Sequence, residues 1–394
     1  MKILLVQEAD WLERGPHQSH HLMERLSKKN HEIRVIDFPK DWRQSKTRGI
    51  FSRRKVFYNK SKAVPGGNIT VIRPMIIELP ILEYITLLIT HRREIIRQIQ
   101  QFKPDVIVGF GILNTYIAIR LAKKHNIPFV YYIIDELFRL VPQKNFQKLA
   151  RQIERNNVIK ADKILSINEA LRQYTIQMGA DPKKTMVVSA GIDLERFNPE
   201  IYNSTTKPTN TQKEKDVVLF FMGWLYDFSG LKEIALELSK SMEKFPNIKL
   251  FVVGKGDLYD ELHRIKEEKL GDKLTLLDWQ PYEKIPQLIA DSDICILPAY
   301  KNEIMQNIVP IKLYEYMAME KPVIATSLPG LMKEFGEENG ILYVDNPQQV
   351  LEKATQIVST RMITEEGLKA RKFVEQNDWD TITNDFEHIL SGLL

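Results

Sequence analysis

Short β-branched runs alternate with helical patterns from the first residues of this chain, and the alternation starts afresh after a break near residue 200. The first series opens with Ile3–Val6, a helical stretch near Gln18–Lys29 carrying Leu22 and Leu26, and Ile33–Phe38, which together read as a βαβ unit. Further strands are expected at Ile69–Arg73, Asp105–Val108, Pro128–Ile134, Ile164–Ile167 and Met186–Val188. From Asn198 to Asp216 the sequences Asn-Pro, Ser-Thr-Thr and Lys-Pro-Thr-Asn-Thr-Gln interrupt the periodicity and read as a linker. The rhythm then resumes with Val217–Met222, Lys249–Val253, Leu274–Leu277, Ile294–Leu297, Pro322–Ala325 and Ile341–Val344. Strands joined by helices pair in parallel and need cover on both faces, so the fold class is α/β, with two doubly wound domains. A chain of 394 residues also exceeds what one core usually serves. The expected organisation is a domain over 1–197, a linker over 198–216, a domain over 217–375, and a C-terminal amphipathic helix over 376–394 that packs back on the first domain.

The net charge of +5 hides a split at residue 200. Before it stand 34 Lys and Arg against 20 Asp and Glu, a balance of +14; after it the balance is −9. The first half is therefore suited to an anionic surface or substrate. Its densest basic run, Lys40 to Lys62, interleaves Trp42, Phe51, Phe57 and Tyr58, a mixture that suits a lipid headgroup region. A solvated loop and nucleic-acid contact are the competing readings, and no nucleic-acid partner is expected. The single cysteine, Cys295, excludes an internal disulfide and reads as a buried strand thiol, which fits a cytoplasmic setting. Residues 1–6 form too short an apolar run for a signal peptide. Met75 to Thr90, interrupted by Glu78, Pro80 and Glu83, is too short and too polar to span a bilayer.

Ligands of open parallel sheets bind beyond the carboxyl ends of strands, so the candidate site residues are those that follow strands. Gly15-Pro16-His17 opens the first helix, which continues through His20 and His21. The turn reads as cleft lining or as an ordinary helix start, and the His17/His21 pair lacks clear further metal ligands. Asp135-Glu136 follows the fifth expected first-half strand, where Asp135 either acts on a substrate or caps the next segment. Gly223 through Gly230, and Gly254-Lys255-Gly256, are glycine turns that permit close backbone approach to a ligand and also serve simple turns. Asp278-Trp279-Gln280-Pro281 is a further loop able to present backbone groups to a base. Finally, Pro310 through Ala318 puts Lys312 and Glu315 three apart near a helix start, where amide groups and the helix dipole favour an anion. Phosphate plus polyol describes a nucleotide sugar. The plainer reading is a surface ion pair.

These segments resemble, in order and spacing, those of the family 4 retaining glycosyltransferases. The resemblance rests on Gly15 with its His-containing helix, Asn30-His31-Glu32-Ile33, Ala190-Gly191-Ile192-Asp193, Phe197-Asn198-Pro199, Val253-Gly254-Lys255-Gly256, Pro281-Tyr282, Ile285-Pro286, Ala290-Asp291-Ser292-Asp293, and Glu315-Tyr316-Met317-Ala318 with Pro322-Val323-Ile324-Ala325. It implies the GT-B architecture of two facing Rossmann-like domains, with the donor held mainly by the second domain and the acceptor by the first. It also implies metal-independent, cofactor-free transfer from a nucleotide-diphosphate sugar to a glycan or lipid-linked acceptor. Glu315 matches the glutamate that binds ribose hydroxyls, Gln280 the loop near the base, and Gly15 the loop near the diphosphate and sugar; His17 falls on the acceptor side and Asp135 near a catalytic position. The chain departs from the pattern in two respects. Asn307 stands where the family has its first glutamate, and Trp224 and Ser229 stand near its usual Arg and Lys. Lys312 is the expected replacement cation, alongside Gly223, Gly254 and Lys255 as donor-side residues. A nucleotide-sugar epimerase of the same fold and a noncatalytic sugar-nucleotide or glycan-binding protein are the rival readings. A peripheral position on the inner membrane face is expected through Lys40 to Lys62.

Overall fold

The structure, a computed structural model, describes residues 1–13, 16–39, 51–79, 81–141, 143–202, 216–303 and 305–394. The chain divides into two compact units, Met1–Ala190 with Trp379–Leu394, and Gly191–Asp378. Most of the expected 198–216 linker therefore lies outside the described residues.

The first unit contains β1 (Lys2–Gln7), α1 (Gln18–Lys28), β2 (Glu32–Ile36), β3 (Phe51–Ser52), β4 (Lys55–Lys60), β5 (Ile69–Arg73), β6 (Ile76–Ile77), α2 (Leu82–Gln101), β7 (Val106–Phe110), α3 (Leu113–Lys124), β8 (Phe129–Ile133), α4 (Lys144–Lys160), β9 (Lys163–Ser166), α5 (Glu169–Gln177) and β10 (Thr185–Val187). Eight strands form one sheet in the order β10-β9-β8-β7-β1-β2-β5-β4. Every pairing is parallel except β4 with β5. The central strands β7 and β8 are apolar or aromatic along their length and wholly buried, as helices on both faces require. β4 differs from them. It lies within the basic run, where a solvated loop was the plainer reading, and its β-forming Val56, Phe57 and Tyr58 make it an edge strand with exposed lysines. Residues 40–50 of the same run lie outside the described residues.

The second unit contains β11 (Val217–Met222), α6 (Leu231–Lys240), β12 (Ile248–Val253), α7 (Tyr259–Ile265), β13 (Leu274–Leu277), α8 (Ile285–Ala290), β14 (Ile294–Leu297), α9 (Ile311–Ala318), β15 (Val323–Thr326), α10 (Pro329–Phe335), β16 (Ile341–Val344), α11 (Val350–Ser359) and α12 (Ile363–Val374). Its sheet runs β13-β12-β11-β14-β15-β16, all parallel. Cys295 is fully buried on β14, and burial pushes its thiol up to about 12.

The units are bounded at Gly191 and Trp379 rather than at 198 and 376. Gly191–Phe197 goes with the second unit: the Ile192 N–H donates to Asn377 O at 2.8 Å, Arg371 Nη1 donates to Phe197 O at 2.8 Å, and the Phe197 ring lies 5.8 Å from that of Tyr282. α13 (Trp379–Ser391) belongs to the first unit, where Trp379, Ile382, Phe386 and Leu390 share a core with Leu22, Met23 and Leu26 of α1. Four such side chains bring roughly 6–12 kcal/mol of gross apolar stabilisation. His21 stacks on Trp379 at 4.4 Å, and Arg25 Nε pairs with Asp380 at 2.9 Å. Among the described residues, no helix is long and apolar enough to cross a membrane.

Candidate functional site

In the second unit the strand order reverses between β11 and β14, so the loops after these two strands diverge and leave a crevice at their carboxyl ends. The loop after β11 interlocks with the loop after β12 through main-chain atoms. The Gly223 N–H donates to Val253 O at 2.9 Å, the Leu225 N–H to Lys255 O at 2.8 Å, and the Leu258 N–H to Leu225 O at 3.0 Å. Gly254, at φ +150°, must be glycine: a Cβ there would lie 1.8 Å from Gly223 O. Gly223, at φ +129°, faces a side chain, since its Cβ would lie 2.6 Å from Lys312 Nζ.

Lys312 reaches that position from α9, the helix after β14. Pro310 is the N-cap residue rather than the first helical one, and its extended backbone starts the helix at Ile311. The helix is seated by Tyr316, whose buried Oη accepts the Met222 N–H at 2.9 Å. Lys312 Nζ then lies 4.3 Å from the centre of the Phe221 ring, a cation–π contact. Burial lowers the Lys312 amine to about 8, against the raising effect of Glu315.

Glu315, one turn along, is 6% exposed. Its Oε1 accepts a hydrogen bond from Tyr282 Oη at 2.9 Å. Burial pushes its carboxyl up to about 7, while Tyr282, Lys312 and Arg196 act in the opposite sense. The Arg196 guanidinium lies 4.8 Å from the Tyr282 ring centre, a cation–π contact. A half-buried cation and a buried carboxylate therefore share one glycine-lined strand end. Such a pair is equipped to hold a phosphate and to accept hydrogen bonds from hydroxyls.

Of the expected donor-side residues, Gly223, Gly254, Lys312 and Glu315 form this group. Lys255 and Gln280 instead meet around Asp278 on an exposed loop: Lys255 Nζ pairs with its carboxylate at 2.9 Å, and Gln280 Nε2 donates to its carbonyl at 3.1 Å. The Lys255 amine cancels the nearest anion there, so the loop is not a free cationic patch. Asn307 lies on a single 3-10 turn before α9, and its side chain is outside the described set. Gly15 is outside it as well.

In the first unit the sheet order reverses between β1 and β7. His17 caps α1, and its N–H donates to His20 Nδ1 at 3.1 Å. His20 Nε2 bonds Trp11 O at 3.0 Å, and burial lowers this imidazole to about 3, so the bond assigns its proton to Nε2. His21 stacks on Trp379, and its Nδ1 lies 3.2 Å from Arg25 Nη1. These histidines are thus committed within the fold. No group of three His, Cys, Asp or Glu side chains able to hold a metal comes together among the described residues.

Asp135, just beyond β8, does not cap the following 3-10 turn Leu137–Leu140, whose cap position is Glu136. Glu136 is drawn instead to Arg139, at 2.6 Å. Burial, and then the charge of Glu136, push the Asp135 carboxyl up to about 7. Sequence reasoning missed the buried triad behind the loop after β1. Arg73 Nη2 bonds Asp10 Oδ1 and Asp37 Oδ2, each at 2.6 Å, and the Trp11, Leu12 and Glu13 amides donate to the same two carboxylates. It missed Tyr282 and Arg196 as partners of Glu315, because 33 residues separate that tyrosine from the glutamate. No local pattern links them.

Comparison with known proteins bears on the family and the fold. The profile described as Glycosyltransferase Family 4 matches residues 18–196, and that of Glycosyl transferases group 1 matches residues 203–378. An uncharacterised glycosyltransferase of Methanocaldococcus jannaschii is 23% identical over 242 residues, 60% of this chain and 59% of its own length. The UDP-Gal:alpha-D-GlcNAc-diphosphoundecaprenol alpha-1,3-galactosyltransferase of Escherichia coli is 24% identical over 227 residues, 56% of either chain. These matches span less than two thirds of the relatives' own lengths. The crystal structure of Anabaena HepE in complex with UDP-glucose superposes with a TM-score of 0.71 at 17% identity, covering 100% of both chains. With profiles of both halves matched in order and a solved structure aligned from end to end, the chain belongs to the family 4, group 1 glycosyltransferases and has their GT-B fold of two Rossmann-like domains.

Proposed function

We infer that this protein is a retaining glycosyltransferase that moves a sugar from a nucleotide-diphosphate sugar to a glycan or lipid-linked acceptor. The observation that carries the reading is the pairing of half-buried Lys312, at Gly223, with buried Glu315, whose carboxylate Tyr282 donates to. Lys312 neutralises charge on the leaving diphosphate, and Glu315 accepts hydrogen bonds from the ribose hydroxyls. Asp135 orients the acceptor hydroxyl or offsets positive charge at the anomeric carbon. The bond from that carbon to the phosphate oxygen breaks, the acceptor oxygen bonds to the same face, and the hydroxyl proton passes to the leaving phosphate oxygen. The reaction so written needs neither metal nor cofactor. HepE supports the donor class through its bound UDP-glucose, and the E. coli relative supports a lipid-linked acceptor through the substrate in its name. The basic run from Lys40 to Lys62 supports a cytoplasmic enzyme on an anionic membrane surface.

A thermal-shift panel of nucleotide sugars tests the donor site. One donor should stabilise the wild type, and Glu315→Ala should abolish that shift, as expected for losing a charged hydrogen bond to ribose, about 10-fold or more in affinity. Lys312→Ala should lower turnover by about 100-fold. Unchanged turnover and donor affinity in Lys312→Ala would refute its phosphate role. Acceptor-dependent release of nucleoside diphosphate separates transfer from epimerisation, and donor binding without any turnover would mark a noncatalytic binder.

A further inference from the structure

The first unit carries an apolar face that no element among its described residues covers. On α2, Leu82, Ile85, Leu88 and Ile89 are exposed, Ile85 by 48% and Ile89 by 49%, with Ile81 exposed at the N-cap. At about 100° per residue these five fall on one stripe, roughly 100–120° wide. The opposite face holds the buried Leu87, His91, Glu94, Ile95 and Gln98. The stripe is continued beside the helix. β3 pairs antiparallel with β6, bringing Phe51 opposite Ile77, and the Ile77 N–H donates to Thr86 Oγ1 of α2 at 3.2 Å. Phe51 itself is 57% exposed. Ile81 adopts φ +70°, a conformation that a β-branched residue resists, and it does so with its side chain in solvent.

The exposed charges beside the stripe are positive, and the neighbouring acid Glu78 is only partly exposed. Arg92 and Arg93 are exposed one turn beyond Ile89, and Arg53 and Lys55 are exposed beside Phe51. The acids of α2 are withdrawn from this face: Glu83 and Glu94 are buried, and Glu94 takes both Arg54 Nε, at 2.7 Å, and Arg54 Nη2, at 2.9 Å. That bidentate pair ties the residues after β3 to the helix.

We propose that the exposed face of α2, with Phe51, lies in the plane of an anionic lipid bilayer, its isoleucines and leucines among the acyl chains and its arginines at the phosphates. An apolar stripe flanked by arginines and lacking exposed acids is the pattern of a helix that rests in the membrane interface. The inference rests on the membrane-side reading above and adds the inserted residues to it.

Co-sedimentation of the full chain with phosphatidylcholine vesicles, with and without phosphatidylglycerol, tests this. The wild type should bind the phosphatidylglycerol vesicles and be released by salt. Ile85→Asn/Ile89→Asn should weaken binding by about 10-fold or more. Arg92→Gln/Arg93→Gln should weaken it by about 10-fold on anionic vesicles. Both variants should keep the wild-type circular dichroism, because the altered side chains are exposed. A wild type that fails to sediment, or an Ile85→Asn/Ile89→Asn variant that binds equally well, overturns the proposal. So does a wild-type dimer that the same variant dissociates, since the face would then belong to a second copy. Release of nucleoside diphosphate with a detergent-dispersed acceptor keeps the two readings apart. Turnover without vesicle binding removes only the membrane face; vesicle binding without turnover removes only the transfer reaction.

Discussion

At the scale of single residues, Asp135 holds an uncomfortable position. Its carboxyl is raised to about 7, first by burial and then by Glu136, so the folded protein favours the neutral form. The stability this contributes is fully present below the ordinary carboxyl range near pH 4 and is lost as pH rises through about 7. Asp135→Asn, which stays neutral, should therefore match the wild type at pH 4 and exceed it at pH 8 by about 1–3 kcal/mol, or roughly 2–8 °C in Tm. Its turnover should fall. Melting curves at the two pH values check this, and a gap that is the same at both would show that the Asp135 charge is not the cause. Lys312 and Glu315 were legible because a proline marks the helix start and three residues is a helical spacing. Tyr282 was named only as part of a resemblance, since its bond to Glu315 is made by the tertiary fold. Asp135 was legible as a strand-end acid, but its raised pKa was not, because burial is absent from a linear sequence.

At the scale of elements, the interlocked loops after β11 and β12 make the sharpest demand on side-chain identity. Gly254→Ala combines an unfavourable positive φ with a Cβ 1.8 Å from a main-chain oxygen that cannot swing aside. The expected cost is about 3 kcal/mol or more. Gly271→Ala is the control: φ +51° and ψ −124° also favour glycine there, but nothing lies within 4 Å of the new Cβ, so only a backbone cost of about 1–3 kcal/mol applies. Urea midpoints of the two variants compare them, and equal losses would mean that the loops are looser than their hydrogen bonds indicate. The strands bordering this site were legible to within a residue or so, since parallel strands buried on both faces are read from apolar runs. β3, β4 and β6 were not read as strands. Two of them are only two residues long, and β4 is set among lysines, so pairing with β5 and β6 decides their conformation where local pattern does not.

At the scale of the whole molecule, each unit buries apolar side chains of its own, and the expected donor-side residues other than Gly15 lie in the second. Differential scanning calorimetry should resolve two transitions, and a bound nucleotide sugar should raise the second unit's transition by mass action, about 2.7 kcal/mol at a hundred times its Kd. Glu315→Ala should remove that shift and leave the other transition where it was. An equal rise in both transitions would count against donor binding within the second unit. The doubling of the βα rhythm announced two domains, and the C-terminal helix was expected to pack back on the first without its partners there being readable. Its Trp379, Ile382, Phe386 and Leu390 mark an amphipathic helix, whereas its partners on α1 lie some 350 residues earlier.

That return of the chain sets an order on synthesis. The second unit is a continuous stretch, Gly191–Asp378, whose segments all leave the ribosome before Trp379. The first unit begins to emerge earlier but finishes later, for its core has no tryptophan to set against His21 until Trp379–Leu394 has been translated. The half of the protein that is made first is thus the half that must wait, with α1 holding Leu22, Met23 and Leu26 open to water or to a chaperone while its partner helix is still being made.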